Sequence, residues 1–175
     1  MNITSSSEAP TDTQKILDSI RRIVRALRVS SRYAEKELGL SGAQLFVLQK
    51  LGERGLMSIN ELAERTLTHQ SSVSVVVSRL VERGLVSRSP SAEDARKSDL
   101  ALSAAGRAFL KKAPPTAQER LVASLDRMPL GERRRLASLL DWLGAESGFG
   151  AESASLFFEE EEKPSLAEAP KGRKK

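Results

Sequence analysis

Between Gln70 and Arg83 the apolar residues Val73, Val76, Val77 and Leu80 recur at i, i+3, i+4 and i+7, which predicts a helix with one buried stripe. Thr68 is the expected cap of that helix, its hydroxyl accepting from an amide of the first turn. The face opposite the stripe carries Gln70, Ser71, Ser74 and Ser78, where a surface helix more often carries Glu, Lys and Ala. Valine and serine are weak helix formers, so this choice costs local stability. A shorter helix is expected from Ile59 to Arg65, with Ile59, Leu62 and Ala63 on its inner side. The small Ala63 lets the two helices approach across the turn Thr66-Leu67-Thr68, and Leu67 is expected to staple that turn to the core.

Beyond Arg83 the period changes. Gly84 can take the left-handed conformation that ends a helix. Leu85, Val86 and Ser87 begin a strand, and Ser98 to Leu102 alternates polar and apolar as its return partner. The residues between, Pro90 to Lys97, are too polar for a core and form a hairpin tip carrying Asp94, Arg96 and Lys97. Ser103 then caps a helix holding Ala104, Phe109 and Leu110.

Two longer apolar stripes lie at the ends. Ile16, Ile20, Ile23, Val24 and Leu27 form one; Leu136, Leu139, Leu140 and Leu143 form the other, with Trp142 on its flank. They are expected to pack against each other and against a second copy of the chain, the competing reading being that they close a monomeric core. Pro114-Pro115 must kink or restart the helical run, because proline lacks the amide and clashes with the preceding turn. Thr116 to Leu125 resumes it with Leu121, Val122 and Leu125 inward; the bend reads equally as a hinge or as a plain loop. Residues 1–12 and 144–175 are polar or compositionally mixed and are expected to be disordered. The second of these contains Phe157-Phe158, the acidic run Glu159 to Glu162 and a basic end from Lys171.

The whole is expected to be a mainly α fold with a small two- or three-stranded β wing. Its 175 residues suit one domain with tails, and the formal net charge is +5. Residues 13–57 hold nine basic and four acidic groups, a net of +5, and residues 58–112 hold nine and six, a net of +3. The region from 144 onward holds five and seven, a net of −2, so the positive charge lies on the folded part, as phosphate binding requires. With no cysteine, the chain has no thiol sensor and no thiolate metal site, and one histidine cannot build a His-rich zinc site. No glycine-rich phosphate loop or nucleophile–base pairing is recognisable, so no enzyme and no cofactor are expected. The N-terminus lacks a secretory pattern and no stretch approaches ~18 apolar residues, which predicts a cytoplasmic protein with no membrane contact.

Helix, tight turn, second helix and basic hairpin, in that order, describe a reader of double-stranded DNA. Base edges in a major groove are read at close range by compact donors and acceptors, which Gln70, Ser71, Ser74 and Ser78 supply. An arginine at the hairpin tip suits the negative potential of a narrow minor groove. The run ERGLVSRSPSAEDARKSDLALSAAG, Glu82 to Gly106, resembles the wing of the MarR family of winged helix-turn-helix transcriptional regulators. The resemblance rests on Asp94-x-Arg96 and on the Leu-x-Leu-Ser-x-x-Gly pattern from Leu100 to Gly106, and it extends over about residues 13–143.

That resemblance implies dimerisation helices at 13–38 and 114–143 around a winged-helix DNA-binding lobe at 41–112. It implies a homodimeric repressor on an inverted-repeat operator, responsive to a small aromatic or anionic effector held between the lobes. Arg96 is then the minor-groove residue and Asp94 its support. The expected DNA contacts are Thr68, His69, Gln70, Ser71, Ser72, Ser74, Val75, Ser78 and Arg79 on or beside the second helix, with Arg88, Asp94, Arg96 and Lys97 on the wing. Val75 stands where many relatives carry a basic residue, so the operator is not transferable from them; valine cannot hydrogen-bond a base but can contact a thymine methyl. Arg21, Arg22 and Arg25 on the first long helix read equally as partners of an anionic effector, as a solvated face or as phosphate contacts. The alternative is an architectural protein that binds DNA without sequence preference.

Overall fold

A computed structural model of the chain describes residues 11–91 and 98–150. The first helix, α1 (Asp12–Tyr33), continues into a π-helical turn (Ala34–Leu38). There follow α2 (Gly42–Gly52), β1 (Leu56–Ser58), α3 (Ile59–Thr66), α4 (Gln70–Glu82), β2 (Val86–Pro90) and β3 (Ser98–Leu102). Three further helices, α5 (Ala104–Leu110), α6 (Ala117–Asp126) and α7 (Leu130–Glu146), complete the described chain. The fold is thus mainly α, with a small antiparallel sheet in the order β1-β3-β2.

The core forms around α2, which buries Ala43, Gln44, Leu45, Phe46, Val47, Leu48 and Leu51 and so is apolar on nearly every side. Leu62 and Ala63 of α3 and Val73, Val76, Val77 and Leu80 of α4 close on it, and the sheet adds Met57, Val86, Leu100 and Leu102. The α4 residues are the stripe expected from the sequence. Side chains also set where helices begin. Ser41 and Gln44 form a reciprocal capping box at α2, Ser58 and Glu61 another at α3, and Thr116 caps α6. Each such cap is worth about 1 kcal/mol.

The Leu-x-Leu-Ser-x-x-Gly pattern has a direct structural meaning. Leu100 and Leu102 face inward from β3, opposite Met57 and Val86. The Ser103 hydroxyl donates to the Gly84 carbonyl at 2.6 Å and accepts from the Gly106 amide at 3.0 Å. Gly106 packs directly on the Leu85 carbonyl, and a Cβ there would lie 2.1 Å from that oxygen. Gly84 has φ +70° and ends α4 as expected.

Three expectations need correction. Leu67 does not staple the turn to the core. It is 70% exposed and has φ 55°, serving as the left-handed cap of α3, so its side chain is turned away from the apolar interior. Thr68 is not the cap residue of α4: His69 holds that position in extended conformation, without a side-chain cap bond. The terminal helix does not stop at 143, because Gly144, Ala145 and Glu146 keep its backbone bonding through Glu146.

The end helices meet little of this core. Along α1 only Leu27 and Ser31 are buried, while Ile16, Ile20, Ile23 and Val24 stay between 37% and 54% exposed. α7 buries no residue, and Leu139, Leu140 and Trp142 are more than half exposed. Within one chain the two stripes therefore do not close a core. The Pro114-Pro115 link is pinned at both ends: Gln49 Nε2 donates to the Pro114 carbonyl at 2.8 Å, and the Ala117 amide donates to Ser30 Oγ at 3.0 Å.

Candidate nucleic-acid interface

Burial of the valine stripe turns the opposite face of α4 outward. Gln70, Ser71, Val75 and Ser78 are exposed and Ser72 and Ser74 half-buried, so the residues expected to read DNA share one accessible surface. His69 stands exposed at its N-terminal end beside half-buried Thr68. The Ser78 hydroxyl donates back to the Ser74 carbonyl at 3.0 Å, which leaves its oxygen lone pairs as acceptors directed away from the helix axis. Val75 is 46% exposed in the middle of this face, a methyl-bearing island among hydroxyls.

At the far end of α4, the Arg83 guanidinium donates to the Gly39 carbonyl and also approaches Gln44 Oε1 at 3.5 Å. Gly39 ends the π-helical turn that extends α1, and Gln44 belongs to the capping box of α2. One side chain therefore ties the orientation of α4 to the end of the long first helix. Half-buried Arg79 lies beside it, in a recess of about 400 Å³ shared with Glu35, Ser41 and Glu82.

The hairpin emerges next to α4. Arg88 is exposed on β2 opposite Leu100, and the Pro90–Ser98 pair closes the ladder. Asp94, Arg96 and Lys97 lie outside the described residues. A second recess, a cleft of about 790 Å³, opens between α1 and the start of α6. Arg22, Arg25 and Arg120 line it together with Val29, Tyr33, Pro114 and Pro115. Arg21 pairs instead with Asp18 at 2.8 Å and is not among the lining residues.

Residues 38–97, from the end of the π-helical turn to the residue before β3, match the family model described as MarR family. A probable transcriptional regulator from Pseudomonas aeruginosa is 33% identical, over 73% of this chain and 98% of the relative, with a TM-score of 0.50. The chain belongs to the MarR family. BpsR of Bordetella bronchiseptica is 25% identical over 74% of this chain and 98% of its own, with a TM-score of 0.51. A mutant MarR from E. coli, solved in complex with operator DNA, is 20% identical over 77% of this chain and 99% of its own, and shares the fold at a TM-score of 0.51. No curated protein matches the chain.

In this MarR-family chain the winged-helix unit accounts for α2 through β3. Sequence reasoning found α4, its stripe and its polar face. It missed the Arg83 clasp, which joins residues 44 positions apart and leaves no local signal. It also missed Tyr33 and Arg120 of the cleft, which only the fold brings beside Arg22 and Arg25. Among the described residues no cluster of His, Cys, Asp or Glu could hold a metal ion, and no helix is long and apolar enough to cross a membrane.

Proposed function

We propose that the protein is a sequence-specific, DNA-binding transcriptional repressor that acts as a homodimer on an inverted-repeat operator. The observation that carries this reading is the outer face of α4, where Gln70, Ser71, Ser74, Val75 and Ser78 lie opposite a fully buried valine stripe. In a major groove, Gln70 offers a bidentate amide, the serines offer hydroxyls, and Val75 meets a thymine methyl. Arg88 and Lys97 neutralise phosphates beside the groove, and Arg96, oriented by Asp94, enters the adjacent minor groove. The remaining groups at the helix, Thr68, His69, Ser72 and Arg79, hold its register through the backbone.

Dimerisation joins the exposed stripes of α1 and α7, giving domains at 13–38 and 114–143 around the lobe at 41–112. Two copies then place their α4 helices in successive major grooves about one helical turn apart. The E. coli MarR complex with operator DNA supports this use of the fold. The Arg22, Arg25 and Arg120 cleft takes the effector, an aromatic anion; BpsR, whose DNA binding is regulated by 6-hydroxynicotinic acid, supports that class. An effector acts only through different affinity for the two lobe arrangements.

The test is selection of genomic fragments by purified protein at two salt concentrations, with the bound fragments sequenced. An inverted repeat with half-sites about one helical turn apart is expected. Uniform, salt-sensitive binding without a motif would replace this reading with the architectural one. On the selected operator, Arg96→Ala is expected to weaken binding by about 1–3 kcal/mol with the fold intact. Unchanged affinity would remove the wing from the interface.

A further inference from the structure

The cleft between α1 and the start of α6 has walls of two kinds. Val29, Tyr33, Pro114 and Pro115 form an apolar side, with Val29 58% and Tyr33 48% exposed. Arg22, Arg25 and Arg120 form a cationic side, and none of the three is paired with a carboxylate among the described residues. Arg22 donates to Ser19 Oγ at 3.0 Å. Exposed apolar carbon beside unpaired guanidinium groups suits an occupant in which aromatic rings adjoin carboxylates.

The chain itself carries such an occupant. Leu156-Phe157-Phe158 runs directly into Glu159-Glu160-Glu161-Glu162. We propose that this C-terminal segment docks into the cleft, with Phe157 and Phe158 against Val29, Tyr33 and the two prolines and the glutamates against Arg22, Arg25 and Arg120. Phe157 is seven residues beyond Gly150, the last described residue, so its tether spans up to about 25 Å. Exposed ion pairs are individually weak and screened by salt. A tether of that length that reaches the cleft, in its own chain or in a second copy, holds the segment at an effective concentration on the order of millimolar, at which weak pairs suffice.

The geometry of α1 keeps this compatible with dimerisation. At 3.6 residues per turn, Arg22, Arg25, Val29 and Tyr33 share one face, while Ile16, Ile20, Ile23 and Leu27 lie on another. A second copy seated on the isoleucine face leaves the cleft open. The regulatory consequence, which rests on the repressor reading, is that an aromatic anion must displace the chain's own segment to bind.

Absence of cysteine makes the test direct. Ala26, which lines the cleft, and Ser155, beside the segment, are replaced in the full chain as Ala26→Cys with Ser155→Cys. Exposed Glu64 on α3 gives the control pair, Glu64→Cys with Ser155→Cys. A disulfide needs the two Cα atoms within about 7 Å, so its rate of formation reports proximity. The cleft pair is expected to oxidise at least tenfold faster than the control at low salt, and to lose that advantage at high salt. Adding Arg25→Glu and Arg120→Glu is expected to bring the rate down to the control; reversing Glu159 to Glu162 to lysine in that background is expected to restore it. A band at monomer mass places the segment in its own cleft and one at twice that mass in the second copy's, and either supports docking. Equal rates for the two pairs, or a rate indifferent to charge reversal, overturn the proposal. No DNA enters the assay, so this failure is separate from failure of the repressor reading.

Discussion

Gly106 and Leu67 are opposite cases of backbone demand. At Gly106 a Cβ would fall 2.1 Å from the Leu85 carbonyl oxygen, a backbone atom that cannot swing aside. Gly106→Ala is therefore expected to lift α5 off Leu85, which precedes β2, and destabilise the fold by about 2–3 kcal/mol, the upper range for overpacking. Urea unfolding followed by circular dichroism measures it, and a loss below half that figure would mean α5 shifts without strain. Leu67 instead occupies a left-handed position that leucine disfavours by about 1–2 kcal/mol. Its side chain is 70% exposed, so little burial is lost on removing it. Leu67→Gly relieves the strain against a gain in unfolded-chain entropy, and a net stabilisation of about 0.5 kcal/mol is expected. A lowered urea midpoint would show that the leucine contributes packing after all. The sequence pointed to Gly106 through its place in the Leu-x-Leu-Ser-x-x-Gly pattern. It concealed Leu67, because apolar character suggested burial and nothing local revealed the sign of φ.

Elements were legible where one face alone is buried. α4 declared itself through the spacing of four residues that the fold buries, and β3 through Leu100 and Leu102 two positions apart, both buried. α2 did not, because a helix apolar on nearly every side has no stripe to read. β1 spans three residues, too short for alternation to register, and the π-helical turn continues a helix without a change in composition. Helix starts are also encoded locally, and one carries a pH signature. Glu61 accepts from the Ser58 amide at 2.7 Å and from the Ser58 hydroxyl at 2.8 Å. These bonds, led by the backbone one and aided by Arg54 and Arg65, hold its carboxyl below the ordinary glutamate range. A depressed folded pKa adds stability above the unfolded value and loses it as pH falls through the folded one. Glu61→Gln keeps an acceptor for the cap but not the charge. The stability difference between parent and variant is expected to be largest at neutral pH and to close from about pH 5 downward. A difference independent of pH would assign the cap's contribution to geometry alone.

At the scale of the molecule, one chain leaves an imbalance that the proposed dimer would remove. The winged-helix lobe completes its core from its own elements, yet α7 buries nothing and α1 buries little beyond Leu27. Leu139, Leu140 and Trp142 are 55%, 52% and 62% exposed, and Ile16 is 54% exposed on α1. Large apolar side chains left exposed along a helix in this way mark a candidate association site. A seam built from it must be separable from the lobe, since none of its residues belongs to the core cluster. Leu139→Glu with Leu140→Glu is accordingly expected to give a folded monomer in sedimentation equilibrium, with the helical circular dichroism of the lobe retained. Trp142, the one tryptophan of the chain, is expected to move from blue-shifted to red-shifted emission as it passes from the seam to water. On the proposed repressor reading the same variant loses the tethering of two half-sites, so binding to a full inverted repeat is expected to fall at least a hundredfold while binding to an isolated half-site holds. A variant that stays dimeric would move the seam away from α7. One that becomes monomeric yet binds the full repeat undiminished would leave the dimer without a role in recognition.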